Sequence, residues 1–296
     1  MFKRILLFVL TNIAIIVAIN ILIFLVQIIF HIDVYNTTGL NIPSLAIFAS
    51  IVWFGGAYIS LQMSKWIAKR AYYIRLITSE TKAAKLQIVY HTVQTIAHQN
   101  NIKIPEVGVY QSSEPNAFAT WPSKNNSLVA VSSGLIDQMT DQEIKGVIGH
   151  EMAHILNGDM VTMTLLQWVI NTFVIFLARV LAFIINNAVK RDREWWLWRL
   201  WYFLVVNILD FTLGIAWLLV IAAYSRKREY AADAGSAGYL GKQTMIASLQ
   251  KLQIISRGVK VPNDEFATLK INNDEHGSPF ATHPSLESRI QHLQNL

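Results

Sequence analysis

The chain has 296 residues, of which 53% are hydrophobic and only 15% charged, with a net charge of +6 and no cysteine. That balance is too apolar for an ordinary soluble protein of one or two domains, and the lack of cysteine excludes disulfide frameworks and thiol chemistry. The basic excess is not a nucleic-acid footprint, because no basic stripe interleaved with stacking aromatics occurs.

In chain order, the first elements are two apolar runs, Ile5 to Phe30 and Leu45 to Met63. Each is long enough to cross the hydrocarbon of a bilayer as a helix, which takes roughly 20 residues. Lys3 and Arg4 precede the first, but it far exceeds the apolar core of roughly 7 to 15 residues in a cleaved signal, so it reads as an anchor. The loop His31 to Ile42 contains no Lys or Arg, whereas Lys65, Lys69, Arg70, Arg75, Lys82 and Lys85 follow the second run. By the positive-inside rule both ends of this hairpin are cytoplasmic, and so is the region up to about Asn157. Within that region Ser79 to Gln99 has the periodicity of an amphipathic helix and Lys103 to Gln111 that of a strand. Asn116 to Thr120 and Ser127 to Ser132 suit a β-hairpin turning at Lys124-Asn125-Asn126. His91 and His98 lie near one face of the helix without a partner acid, and read as ordinary core or surface histidines.

Gly146 to Gly158 then contains His150-Glu151-Met152-Ala153-His154, an H-E-x-x-H pentapeptide. Thr140 and Glu143 offer a capping box that starts a helix, and Ile144, Val147, Ile148, Met152 and Ile155 supply its buried side. Positions i and i+4 share a helical face. His150 and His154 can therefore turn imidazole nitrogens toward one Zn²⁺ ion, while Glu151 stands beside them to hold and deprotonate a water. A pair of solvated helix histidines is the plain alternative.

Two further apolar runs follow, Met160 to Ala178 and Leu200 to Tyr224, the second interrupted only by Asp210. Their connection, Val189 to Arg199, carries Lys190, Arg191, Arg193 and Arg199 against Asp192 and Glu194, which breaks the positive-inside rule for a translocated loop. Trp195, Trp196, Trp198, Trp201 and Tyr202 nevertheless make an interfacial aromatic belt. Full crossing is the preferred reading, with Arg179 and Asp210 pairing or snorkelling near the far side. A helix pair buried in protein or only partly inserted is the alternative.

Past the fourth run, Arg226, Lys227 and Arg228 mark a cytoplasmic membrane edge, and Glu229 and Asp233 fall at i and i+4 on one helical face. A zinc site with two histidines needs a third protein ligand, and Glu229 would complete a His₂Glu set that leaves one position for water. Asp233 suits a carboxylate that accepts a hydrogen bond from the far nitrogen of a ligand histidine. An exposed charged helix face would give the same residues. Zero or two crossings between His154 and Glu229 both return Glu229 to the side of the histidines. Gly241 to Ser256 and Ser285 to Leu296 read as further helices, and Arg257 to Ser278, rich in Asn, Asp and Gly, as a loop suited to a lid.

The sequence resembles the HtpX family of membrane-bound zinc metalloproteases, gluzincin-type peptidases related more distantly to the CAAX prenyl endopeptidases. The resemblance covers essentially the whole chain. It is carried by Asn116-Ala117-Phe118-Ala119-Thr120, Leu128-Val129-Ala130-Val131-Ser132, Gly149 to Met163, Ser225 to Ala237 and Thr282-His283-Pro284. It implies His150, His154 and Glu229 as ligands of one Zn²⁺ per chain, Glu151 as general base and Asp233 as the second acid of an E-x-x-x-D element. It further implies His283 and Arg289 near the active site, where a donor could stabilise a tetrahedral oxyanion. Asn116 and Ala117 would begin an edge strand onto which an extended substrate adds. The family usually continues with Gly where this chain has Trp121-Pro122.

The fold expected is α+β, mostly α: a polytopic membrane protein with about four transmembrane helices and a cytoplasmic zincin-like metallopeptidase domain containing a small β-sheet. Its parts would be an N-terminal transmembrane hairpin (1–66), a metallopeptidase part with the H-E-x-x-H helix (67–159), a second hairpin (160–224) and a cytoplasmic part with the third ligand (225–296). The resemblance implies hydrolysis of misfolded or damaged membrane proteins and unfolded polypeptides at a bacterial inner membrane, with the active site and both termini cytoplasmic. The lipid bilayer is a partner and nucleic acid is not; the sequence leaves the oligomeric state open. The rival readings are a prenyl-peptide endopeptidase, disfavoured by the number of spans, and a non-enzymatic scaffold whose structural zinc takes His283 as a fourth ligand.

Overall fold

The structure is a computed structural model, and it describes residues 42–188, 195–258 and 280–296. The first apolar run and its loop, most of the Val189 to Arg199 connection and most of the Arg257 to Ser278 loop lie outside these residues. The chain divides into two compact units, Met1–Leu45 and Ala46–Leu296; the packing below is that of the second.

Helix α1 (Ile42–Ala71) contains the second apolar run. Phe54, Tyr58, Ile59, Met63, Trp66 and Ile67 on it are exposed. Its C-terminal end is tied to the sheet: Lys65 and Lys69 both pair with Glu106, and Lys65 Nζ donates to Asn126 Oδ1 at 2.8 Å. Strand β1 (Arg75–Ile77) follows, then α2 (Ala84–Gln99), β2 (Glu106–Tyr110), β3 (Ala117–Ser123), β4 (Asn126–Ser132) and the short helix α3 (Ser133–Gln138). Helix α2 begins five residues later than its periodicity suggests. Thr78 to Thr81 form a turn in which the Thr78 N–H donates to Thr81 Oγ1, and the Gln87 side chain caps the carbonyls of Thr78, Ser79 and Thr81. These local side-chain bonds compete with helix formation.

The sheet has the order β1-β2-β4-β3, with β2 and β4 parallel and the other pairs antiparallel. Strand β3 is an edge, and β3 and β4 form the expected hairpin. Successive residues of a strand face opposite sides. Val129 and Val131 accordingly pack into the main core with Val93 of α2, whereas Leu128 and Ala130 join Tyr110, Phe118 and Ala68 under α1. The register slips between Thr120 and Ser123, where Pro122 has no N–H to give to the ladder. The Trp121 N–H turns instead to Met160 Sδ, 3.2 Å away.

Helix α4 (Asp141–Asn157) carries the H-E-x-x-H residues. Its capping box forms as expected, the Thr140 N–H donating to Glu143 Oε2 at 2.7 Å and the Glu143 N–H to Thr140 Oγ1 at 3.4 Å. Ile144, Val147, Ile148, Met152 and Ile155 are all buried in the core. The helix stops at Gly158, whose φ of 74° is the left-handed conformation that glycine adopts without steric cost. Helices α5 (Asp159–Ala188) and α6 (Trp195–Leu240) follow, and each contains a stretch long and apolar enough to cross a membrane, Asp159–Ala182 and Leu204–Leu240. Leu165, Val169 and Phe173 point outward from α5, as do Leu204, Ile208 and Phe211 from α6. Between the helices, Arg179 Nη1 lies 2.9 Å from Asp210 Oδ1 and 3.0 Å from Oδ2. Helices α7 (Lys242–Gly258) and α8 (Leu286–Gln294) close the core with Met245, Leu249, Leu252, Ile290 and Leu293.

One close approach fixes the working face of α4. A Cβ on Gly149 would collide with Ser236 Oγ and come 2.7 Å from Leu240 Cδ1, so only glycine lets α6 lie this near. Ser236 Oγ uses the proximity to donate to the Gly146 carbonyl at 2.9 Å.

Candidate metal centre

Two helices supply the centre. Helix α4 presents His150 and His154 one turn apart, and the C-terminal part of α6, held against it through Gly149 and Ser236, presents Glu229. His150 Nε2 and His154 Nε2 are 3.1 Å apart; Glu229 Oε2 is 3.4 Å from the first and Oε1 is 3.3 Å from the second. Ligands about 2.0 to 2.1 Å from a tetrahedral ion stand about 3.3 Å from one another. The three separations have that size. All three side chains are buried, and among the described residues no other such group of potential ligands converges.

The surrounding contacts fit a cation. Two bare imidazole lone pairs repel at 3.1 Å, so positive charge belongs between them. Glu229 Oε2 is buried without a hydrogen bond, although His283 Nδ1 lies 3.0 Å and Arg289 Nη1 3.3 Å away. The far nitrogen of each histidine meets a carboxylate: His150 Nδ1 lies 2.9 Å from Asp233 Oδ1, and His154 Nδ1 2.5 Å from Asp159 Oδ2. That pattern puts the Nδ1 proton on each ring and turns Nε2, with its lone pair, toward the common centre.

Charge bookkeeping gives the same answer. Glu151, Asp159, Glu229 and Asp233 bring four carboxylates, while Arg228 and Arg289 bring two guanidiniums, which leaves two formal negative charges. Both histidines sit within this excess of negative charge, which favours their charged forms. Burial opposes a charge on His154, but hydrogen bonds to Asp159 and Glu229 outweigh it and hold its pKa at about 10. Burial and the neighbouring Arg289 oppose a charge on His150, and its bonds to Asp233 and Glu229 still raise its pKa. One Zn²⁺ would offset the same two formal negative charges.

Arg289 is completely buried, with Nε 2.8 Å from Asp233 Oδ2 and Nη2 2.6 Å from Asp233 Oδ1, so α8 is locked to α6 beneath the ligands. His283 faces Glu229 from the turn before α8. Glu151 is buried next to His150, near enough for its charge to act on His154, Arg289 and Tyr110. Asn116 and Ala117 lead into β3; Asn116 exchanges bonds with Ser132, and Ala117 packs in the same core as Met152. His91 remains apart on α2, 3.3 Å from Gln94 Oε1. The sequence reading missed Asp159 and Arg228. An acid five residues past the second histidine, just beyond the Gly158 stop, was the available signal.

The family model described as peptidase family M48 matches residues 80–296. The chain is a member of peptidase family M48. Proteins described as protease HtpX homologues are similar over nearly their whole length. The one from Methylacidiphilum infernorum is 44% identical, covering 100% of this chain and 99% of that protein. Those from Bacillus licheniformis and Neisseria meningitidis are 42% identical, each over 99% of this chain and at least 99% of theirs. Among solved structures the fold is similar to that of Ste24p from S. mikatae, with a TM-score of 0.56 and 19% identity, over 82% of this chain and 56% of that one. This M48 peptidase is therefore a membrane zinc metalloprotease, mostly helical around a small mixed sheet, with His150, His154 and Glu229 grouped where they could hold the zinc.

Proposed function

We propose that the protein cuts misfolded or damaged membrane proteins, and other unfolded polypeptides, at the cytoplasmic face of a bacterial inner membrane. The observation that carries the reading is the meeting of His150, His154 and Glu229 at tetrahedral spacing, with Glu151 one residue round the same helix. His150, His154 and Glu229 would hold Zn²⁺, whose Lewis acidity would acidify water and polarise a peptide carbonyl. Glu151 takes the proton from the attacking water and returns it to the leaving amine. His283, 3.0 Å from Glu229 Oε2, is within reach of a developing oxyanion as its donor. Asp233 and Arg289 keep His150 and Glu229 in register from below. An extended substrate would add along β3, the edge strand of the sheet among the described residues, near Asn116 and Ala117.

The topology proposed has about four spans, with both termini and the active site cytoplasmic: hairpins at 1–66 and 160–224, soluble parts at 67–159 and 225–296. Two ion pairs support full crossing of the second hairpin. Arg179–Asp210 and Asp159–Arg228 join α5 to α6 at separate levels. The levels lie 20 residues apart on α5 and 18 on α6, or about 27 to 30 Å at 1.5 Å per residue, and the hydrocarbon is about 30 Å thick. Charged pairs at both water boundaries, with apolar side chains facing outward between them, are what a spanning hairpin requires.

The test is cleavage of an unfolded model polypeptide by the full chain purified in detergent, with metal content measured. Glu151→Gln is expected to keep one zinc while losing about 10² to 10⁴ in turnover, and zinc removal to abolish cutting reversibly. Retained turnover in Glu151→Gln would remove Glu151 from the base role. One bound zinc without any cutting would shift the reading to a structural site.

A further inference from the structure

The carboxylate beside His154 lies within the Gly149 to Met163 stretch, but the sequence assigns it no role. Asp159 is the first residue of α5, delivered there by the left-handed turn at Gly158, and it is buried. One oxygen lies 2.5 Å from His154 Nδ1, and the other lies 3.3 Å from Arg228 Nε. Arg228 immediately precedes Glu229 on α6. The contacts therefore close a ring: His154 to Asp159, Asp159 to Arg228, Arg228 along one peptide bond to Glu229, and Glu229 back to His154 Nε2 at 3.3 Å.

We propose that Asp159, braced by Arg228, is a positioning residue that orients His154 and couples two zinc ligands on different helices. The inference rests on the reading of His154 and Glu229 as ligands. Physically, the carboxylate fixes the Nδ1–H tautomer and raises the basicity of Nε2, as outer carboxylates do for metal-bound histidines. Arg228 offsets part of that carboxylate's charge through an ion pair in which Nε makes no hydrogen bond. It also ties the α4–α5 junction to the turn of α6 that carries Glu229. A rotation of α6 that moved Glu229 would pull on Asp159 and hence on the His154 ring, so the two ligands move as a unit. Asp233 holds the same relation to His150, but its clamp comes from Arg289 on α8. Each histidine thus has its own carboxylate–arginine pair, hydrogen-bonded for Asp233 and Arg289 and ionic for Asp159 and Arg228.

The experiment measures zinc affinity of the full chain in detergent by competition with a chelator, together with the visible spectrum of the cobalt-substituted protein. Asp159→Ala is expected to weaken zinc binding about 10- to 100-fold and to alter the cobalt spectrum. Asp159→Asn retains an acceptor for Nδ1–H without the charge, and should fall between Ala and wild type. Arg228→Gln should weaken binding less than Asp159→Ala. Thr162→Ala serves as the control, because Thr162 Oγ1 donates to the Gly158 carbonyl in the same turn without touching the ring; it should leave affinity and spectrum unchanged. Asp159 variants within twofold of wild type with an unchanged spectrum would overturn the proposal, as would a loss of equal size in Thr162→Ala. Failure of the wild type to bind zinc would instead refute the ligand assignment on which the proposal stands.

Discussion

Zinc uptake should release protons, and the pH dependence of both forms follows from the histidine pair. In the metal-free protein His154 has a pKa of about 10 against an ordinary 6.5, and that of His150 is also raised. At pH 7 the His154 ring is then protonated, and binding an ion through its Nε2 expels that proton. Apparent zinc affinity should accordingly rise about 10-fold per pH unit below the folded pKa of His154. Stability of the metal-free protein runs the other way. A folded pKa above the unfolded value stabilises fully below about pH 6.5 and loses that contribution as pH climbs toward 10. Calorimetric titration of zinc in buffers of different ionisation enthalpy gives the proton number directly, and thermal unfolding of the stripped protein across pH 6 to 9 gives the second trend. No proton release and flat affinity between pH 6 and 8 would refute the charge compensation argued for the centre.

Two substitutions probe the frame around the ligands. Arg289→Met leaves Asp233 and Glu229 buried without their guanidinium and is expected to cost about 3 to 5 kcal/mol, read by unfolding in detergent; a loss under about 1 kcal/mol would show that Asp233 finds another partner. Gly149→Ala drives a methyl into Ser236 and should cost about 1 to 3 kcal/mol through overpacking while lowering zinc content, because Ser236 and Glu229 ride on the same helix. Unchanged metal content in that variant would show that α6 can shift without disturbing the ligand.

The parts of this protein that were readable from sequence are those governed by short-range rules. The α4 helix, its capping box and its buried face follow from spacing alone, since Thr140, Glu143 and the apolar positions interact within one or two turns. The β3–β4 hairpin follows from alternation and a turn at Lys124 to Asn126. Glu229 could be nominated because i and i+4 acids share a face, although nothing local says that this face meets α4. That meeting depends on Gly149 and Ser236, 87 residues apart in the chain, and no periodicity encodes it. The start of α2 was placed too early because the Gln87 side chain, a tertiary-like cap, competes with helix at Ser79 to Ala83. The Asp159 and Arg228 braces were missed for the same reason: both looked like ordinary charges at the ends of apolar runs. The sheet order, with β2 beside β4, is a crossover that hydropathy cannot reveal.

Helix α6 runs without a break from Trp195 to Leu240, so there is no joint between its apolar stretch and Glu229. A rigid rod works as a lever. Glu229 lies ten residues, or about 15 Å, from Leu219 in the middle of that stretch. Tilting the rod by about 5° about that point, a change well within the range that transmembrane helices show as bilayer thickness varies, would move the carboxylate by about 1.3 Å at that radius. A metal–oxygen bond is only about 2 Å long. On the proposed topology the thickness of the bilayer would set the angle of the rod, and the angle the distance between Glu229 and the two histidines on α4.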